Sequence, residues 1–257
     1  MIALPPELLP QLGEGLWHLF TVFLRVSAMV SLLPAFGERS IPTRVRFGIA
    51  VAFTMIVTPA VPALFAQPNL LAMVRLVLTE VLIGMALGLS LRLFVLALQT
   101  TGSIAAQATS LSQILGPAAA DPVPAMGHLL TLAGLTVAVL LGLHVRVAQF
   151  LIHSYTFFPI GTAPLAQGLS QWGVQQIARS FGLAFALAMP FVIASLIYNL
   201  ALGVINRAMP QLMVAFVGAP AITFAGLFLL FAGAPLILSV WSDALITFIL
   251  NPLEPPR

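Results

Sequence analysis

The chain has 257 residues, of which 60% are hydrophobic and 7% charged, and its formal net charge is +3. Soluble domains carry about 25% charged residues, and so few charges cannot cover a water-facing surface, which excludes a soluble enzyme or a disordered regulator. The mean hydropathy of +1.10 defines a multi-pass membrane protein instead. The length allows roughly six spans of about 20 residues with their connections. All ten basic residues are arginines, scattered singly apart from one denser link, which gives no solvated basic patch for nucleic acid. Cysteine is absent, so disulfides and cysteine-ligated metal sites are excluded. No Lys or Arg precedes Arg25, so the first apolar stretch is expected to be a retained span and not a signal peptide.

In chain order, 15–36 is apolar and interrupted only by His18 and Arg25. A link over 37–46 follows, then an uncharged segment 47–66 with Pro59 and Pro62. Segment 70–98 is long and carries Arg75, Glu80 and Arg92. A break over 99–128, rich in Ser, Thr, Gln, Gly and Pro, separates it from the apolar segment 129–152, which holds His144 and Arg146. A Gln-containing polar break over 153–180 precedes the apolar segment 181–206 with Pro190. No charge occurs from Ala208 to Ser242. One helix from there to Leu250 would be about 60 Å long, twice a bilayer core. Gly233-Ala234-Pro235 is a strong breaker, so two helices are expected, 212–232 and 236–250, followed by a tail with three prolines. The expected architecture is all-α: a single polytopic domain over 1–257, with about six to seven apolar helices in hairpins broken at Pro and Gly. It divides into N-terminal helices in 15–98, a loop over 99–128 and C-terminal helices in 129–250.

No enzyme signature is present. Without lysine there is no phosphate loop ending in Gly-Lys. His144 and His153 are nine apart, about 180° around a helix, so one helix cannot offer both to a metal. No cofactor is expected. Arg25 sits near the centre of its segment, where an arginine costs about 2.5–3.5 kcal/mol, so it needs a partner or a polar cavity. Glu80 lies within the longest apolar segment, and Arg92 on the same helix is twelve residues or about 18 Å away, too far to pair with it. Arg25 and Glu80 are thus expected to pair between helices. Gly84 with Gly88, and Gly134 with Ala138 and Gly142, are spaced for close helix packing, within the chain or against partner helices. Arg39, Arg44 and Arg46 form the dense basic link, which the positive-inside tendency puts in the cytoplasm.

Several stretches resemble the FliR family of flagellar export-gate proteins and its injectisome counterpart. They are Phe23-Leu24-Arg25-Val26-Ser27, Pro34-Ala35-Phe36-Gly37-Glu38-Arg39 and Ile41-Pro42-Thr43-Arg44-Val45-Arg46. Next come Glu80-Val81-Leu82-Ile83-Gly84-Met85-Ala86-Leu87-Gly88 and Phe157-Phe158-Pro159-Ile160-Gly161. The most specific is Ala201-Leu202-Gly203-Val204-Ile205-Asn206-Arg207-Ala208-Met209-Pro210-Gln211-Leu212, followed by Val217-Gly218-Ala219-Pro220. Each is weak alone, but the ordered set from about 20 to 220 is specific. The resemblance implies a non-enzymatic inner-membrane subunit of the flagellar basal body. It implies assembly with FliP-like and FliQ-like subunits and an FlhB-like subunit, around a path for unfolded exported proteins. Helices drawn as spans are then bent hairpins, partly lifted from the bilayer plane by assembly. Arg25, Glu80 and Arg207 become candidates for buried charge or assembly.

The resemblance also assigns a pore plug to the middle loop, here about Ser110 to Val123. Leu111, Ile114 and Leu115 are the sealing candidates and Gly116 the hinge. Pro117, Pro122 and Pro124 oppose helix continuation, and Asp121 is the loop's one charge. Ser110 and Val123 close its ends. Unlike the family pattern, the loop is rich in Ala and Pro and lacks a clear aromatic residue. Two other classes stay open from the residues alone. One is a small secondary transporter, for which broken helices speak but a convincing internal repeat is missing. The other is a protein-inserting membrane chaperone. An injectisome subunit is the nearer alternative.

The cytoplasmic placement of the link has a direct test. A Ser40→Cys variant carries the sole thiol in the chain. We expect it to react with a membrane-impermeant maleimide from the cytoplasmic face; labelling from the opposite face alone refutes the placement.

Overall fold

The structure, a computed structural model, describes residues 8–38, 41–62, 69–109, 125–209 and 214–253. Among these it is helical throughout, with no strand. The helices are α1 (Leu8–Leu32), α2 (Thr43–Val57), α3 (Leu70–Thr109), α4 (Ala125–Leu140), α5 (Leu143–Phe157), α6 (Ala166–Ala208) and α7 (Val214–Leu250). A 3-10 turn at Thr58–Ala60 ends α2, where Pro59 stops the α-helical ladder. The all-α, polytopic expectation therefore holds: four helices are long and apolar enough to cross a membrane, and α4 with α5 forms a bent pair at 74°.

Helix α3 is the axis of the bundle. Its core positions Ile83, Leu87, Leu91, Phe94 and Leu98 are buried, and α1, α4, α6 and α7 all pack on it. Close approach is made by glycine. A Cβ on Gly84 would collide with the carbonyl oxygen of Arg25, and one on Gly88 would lie 2.7 Å from that of Met29. The small-residue stripe of α3 thus seats α1 of the same chain. Further along, Gly102 meets the backbone of Gly127, and Gly134 packs on Leu98 beside Trp241. Trp241 Nε1 closes this region by donating to the Phe94 carbonyl at 2.8 Å.

Four expected boundaries are corrected. The break over 99–128 is helical at both ends, through Thr109 and again from Ala125; residues 110–124 lie outside the described residues. Polarity does not end α3 because its hydroxyls bond back into the helix, Thr101 to Ala97 O at 2.8 Å and Thr109 to Ala105 O at 2.9 Å. The polar break over 153–180 shrinks to the turn between Phe157 and Ala166, since the Gln- and Ala-containing stretch from Ala166 suits a helix. Segment 129–152 is not one rod. Gly142, in the left-handed region at φ 77°, lets the chain turn between α4 and α5. Finally, Gly233-Ala234-Pro235 does not break the chain, and α7 runs through both Pro220 and Pro235. In an apolar setting a proline removes one ladder bond, whereas opening the helix would strand several more polar groups. The hairpin instead lies one connection earlier: α6 and α7 are joined by Tyr198, whose hydroxyl donates to the Gly218 carbonyl.

Gly102 and Gly48 give a contrasting pair of substitutions. A side chain at Gly102 meets backbone that cannot yield, while Gly48 on α2 faces open space. Gly102→Val is expected to cost about 3 kcal/mol by overpacking. Gly48→Ala is expected to be neutral or to stabilise by up to about 1 kcal/mol. Thermal unfolding of the detergent-solubilised full chain distinguishes the two; equal effects would mean that α3 and α4 do not cross at Gly102.

Candidate functional site

Two features flank the functionally expected regions: a buried polar centre in the lower half of the bundle, and the helix ends that carry the middle loop.

The polar centre starts with Arg25 and Glu80, each wholly inaccessible. Gly84, one turn beyond Glu80, draws α1 against α3 and brings the two side chains together. The contact is a fork: Arg25 Nε donates to Glu80 Oε2 at 2.8 Å and Nη2 to Oε1 at 3.2 Å. Arg25 also donates from Nη1 to Ser154 Oγ at 3.2 Å and from Nη2 to the Phe158 carbonyl at 2.8 Å. Glu80 Oε1 accepts from the Gly161 amide at 3.0 Å. The Tyr155 ring lies 3.8 Å from the guanidinium carbon, a cation–π contact shielded from water. The expected interhelical pair is therefore present, and it is a network of four segments: α1, α3, the end of α5 and the turn after it.

Ser154, Tyr155 and the backbone of Phe158 and Gly161 were not identified as site residues from the sequence. The one signal for them was Phe157-Phe158-Pro159-Ile160-Gly161, a resemblance-bearing stretch without an assigned role. Gly161 has φ 73°, which favours glycine and turns its amide toward Glu80. Arg92 meets Glu38 at 3.7 Å, in keeping with its distance from Glu80.

The other expected residues are dispersed. Arg44 is exposed and Arg46 half-buried, and both lie in the first turns of α2, not in a loop. Arg39 lies outside the described residues. Arg207 is exposed in the last turn of α6. There it faces no buried environment of its own chain, because the innermost residues of α6 end at Phe191. A cation at a helix C-terminus complements the helix dipole. The plug candidates Ser110, Leu111, Ile114, Leu115, Gly116, Pro117, Asp121, Pro122 and Val123 all lie outside the described residues. Their flanks are held firmly. Thr109 packs on Gly226 of α7, where a Cβ would lie 2.5 Å from its methyl group, and Thr223 Oγ1 bonds the Thr109 carbonyl at 3.4 Å. On the far flank Met126 is buried and Gly127 abuts α3.

No group of three or more His, Cys, Asp or Glu side chains that could hold a metal occurs among the described residues. His144 and His153 are both exposed on α5. The polar centre contains no nucleophile paired with a base, and every Arg25–Glu80 contact is used to join segments. A polytopic bundle of apolar helices around a buried ion pair defines a membrane protein.

Comparison with known proteins agrees. Residues 16–247 match the family described as "Bacterial export proteins, family 1". The chain is 36% identical over 226 residues to "Flagellar biosynthetic protein FliR" of Caulobacter vibrioides, covering 86% of this chain and 90% of that protein. It is 30% identical to the protein of the same name from Escherichia coli over 220 residues, 85% and 84% of the two chains. The Aquifex aeolicus FliR is 28% identical over 233 residues, 90% of each chain. The chain belongs to the FliR family of bacterial export proteins.

Removing one partner of the buried pair leaves an uncompensated charge. Arg25→Ala and Glu80→Ala are each expected to cost about 3–5 kcal/mol. The double exchange Arg25→Glu with Glu80→Arg should recover part of that loss, measured as retained folded protein on heating. Strictly additive losses would show no coupling. Tyr155→Phe keeps the ring and removes a buried hydroxyl that has no partner among the described residues, so it is expected to be neutral or stabilising.

Proposed function

We propose that this chain is a structural, channel-forming subunit of the flagellar type III export gate in the bacterial inner membrane. It works without catalysis, as a single domain, and helps to form and seal the path for unfolded flagellar proteins. Its partners are FliP-like and FliQ-like subunits, with an FlhB-like subunit at the cytoplasmic mouth. The observation that carries this reading is the family match over residues 16–247 together with relatives named as flagellar biosynthetic proteins.

The apolar faces left open support it. On α6, Phe181, Phe185, Leu196, Leu200 and Val204 are exposed, and on α7 so are Phe224, Phe228 and Phe231. The α6 face from Phe181 to Val204 runs about 35 Å along the helix, against about 30 Å for a bilayer core, which supports apolar protein as cover for the excess. Segment 110–123 is the proposed plug. Its flanks are held, Thr109 on α7 and Gly127 on α3.

The experiment isolates a tagged chain from bacterial membranes. FliP-like and FliQ-like proteins are expected to come with it, and deletion of residues 110–123 is expected to leave that assembly intact while admitting a small dye into cells. A chain recovered alone as a stable symmetric oligomer would favour a transporter. An assembled deletion variant as tight as the wild type would make the segment a linker.

A further inference from the structure

Helix α3 is packed on one side and open on the other. Over its second half the buried residues Phe94, Leu98, Thr101, Gly102, Ala105 and Thr109 share the packed side, which meets α4, α6 and α7. At about 100° per residue, Leu96, Gln99, Thr100, Ser103 and Gln107 fall on the opposite side, within an arc about 100° wide. Gln99 and Gln107 are exposed there, and Thr100 and Ser103 are half-exposed between them. Nearer the start of α3 the same arc carries Leu71, Leu78, Leu82, Met85 and Leu89, all exposed. The free face of α3 is thus apolar as far as Leu89 and becomes uncharged but polar from Gln99 onward.

The neighbouring helices do not change with it. Helix α7 runs antiparallel to α3 and is fixed to it at both ends of this stretch. Trp241 Nε1 donates to the Phe94 carbonyl at 2.8 Å, and Gly226 packs on the Thr109 side chain. Residues 94–109 of α3 and 226–241 of α7 therefore lie side by side. Over that length α7 exposes Leu227, Phe228, Phe231, Leu236 and Val240. Its one exposed polar residue there, Ser239, donates its hydroxyl to the Leu236 carbonyl of its own helix at 2.9 Å. Helix α6 is tied to the same stretch by Thr101 Oγ1, which donates to the Ala184 carbonyl at 3.2 Å. Around that contact α6 exposes Phe181, Phe185 and Met189.

One slab of the molecule therefore carries carboxamides and hydroxyls on α3 and phenyl and aliphatic groups on α6 and α7. A surface wholly in lipid does not suit this, because each amide placed in hydrocarbon without a partner costs about 1–3 kcal/mol. A surface wholly in water does not suit it either, because the exposed aromatic residues of α6 and α7 lie in the same slab. The arrangement fits a wall that has an apolar medium behind it and water in front. The polar face also ends where segment 110–123 begins. Its chemistry is suited to one kind of visitor. A glutamine carboxamide both donates and accepts, so it can meet the N–H and C=O that every residue of an unfolded chain leaves unpaired. Without charge, it does not retain acidic or basic stretches of that chain.

We propose that the Gln99–Ser103–Gln107 face of α3 is the wall of a water-filled path, against which an extended polypeptide passes and which meets it through main-chain N–H and C=O groups. The assignment rests on the export-gate reading of the chain.

The test exploits the absence of cysteine. Gln99→Cys, Gln107→Cys, Phe228→Cys and Phe231→Cys are made one at a time in the full chain and studied in membrane vesicles, in the complex the chain forms there. With a small charged thiol reagent, the two α3 variants are expected to react at least about tenfold faster than the two α7 variants, since a thiol in apolar surroundings stays un-ionised and out of the reagent's reach. Equal rates overturn the water-filled wall. In a second arm, a flagellar protein stalled in export by a folded domain at its C-terminal end carries single cysteines at successive positions of its extended part. Under a mild oxidant, disulfides to Gln99→Cys and Gln107→Cys are expected from most of those positions, whatever the neighbouring side chains. Reactive α3 thiols that never join the stalled chain, or that join a helix of another subunit instead, overturn the assignment. A photoreactive group on the same stalled chain separates the two readings. Capture of the complex without disulfides to α3 removes the α3 wall alone, whereas capture of no subunit removes the export-gate reading as well.

Discussion

The buried pair of Arg25 and Glu80 is the contact on which the rest of the bundle is arranged. Each guanidinium nitrogen has an acceptor and both carboxylate functions are engaged, either by the fork or by the Gly161 amide. In a low-dielectric interior such a network is favourable only when it is complete. Completion requires α1 against α3, the last turn of α5 beneath Arg25, and the turn at Phe158–Gly161 folded over Glu80. The glycines at 84 and 88 serve the same end, since any side chain there would hold α1 away and lengthen the fork. Replacing the pair with apolar residues would supply burial without direction. The ion pair instead selects which helix ends meet, and the start of α6 follows from where that turn releases the chain.

The all-helical membrane architecture was legible in composition alone, because 60% apolar residues with 7% charge leave few other solutions. The pair was legible by elimination: Arg25 needed a partner, and Arg92 was too far along the helix to serve Glu80. Its completion was not. Ser154 and the Phe158 carbonyl are ordinary groups that become ligands only when the α4–α5 elbow at Gly142 aims α5 at Arg25, and nothing local in the sequence sets that angle. The helix boundaries failed for a different reason. Polarity and proline were read as they act in water, where Thr, Gln and Pro end helices easily. Here Thr101 and Thr109 satisfy their hydroxyls on their own helix, and Pro190, Pro220 and Pro235 sit inside helices whose opening would expose further unpaired backbone. Gly142, expected to continue a packing stripe with Gly134 and Ala138, is instead the residue that breaks the chain, with open space beside it.

The weak charge signature of topology has the same origin. A positive-inside pattern needs charged loops between simple spans, yet several charges of this chain are spent inside the bundle or at its waist. Arg25 and Glu80 neutralise each other, Arg92 is held by Glu38, and Arg146 turns its Nε to the Leu141 carbonyl. Among the described residues the charges that remain are few, and apart from Arg179 they lie within about two turns of a helix end.

Helix length sets how much of the α6–α7 hairpin a membrane can take up. Helix α7 has 37 residues, about 55 Å at 1.5 Å per residue. Even at a tilt of about 40°, the upper end of what spans adopt, it projects about 42 Å onto the bilayer normal, against a hydrocarbon core of about 30 Å. Its first charge is Asp243, and before it Phe224, Phe228, Phe231 and Leu236 are all well exposed on this chain. A helix apolar on every side belongs in lipid or inside a larger protein. The uncharged stretch, 214–242, is about 44 Å long and projects about 33 Å at that tilt, and at its far end Trp241, Leu245, Phe248 and Ile249 are buried by the chain's own helices. The α6–α7 hairpin therefore turns its apolar surface outward over about the length of one bilayer core, while the end that carries Asp243 is the part whose large side chains the bundle itself buries.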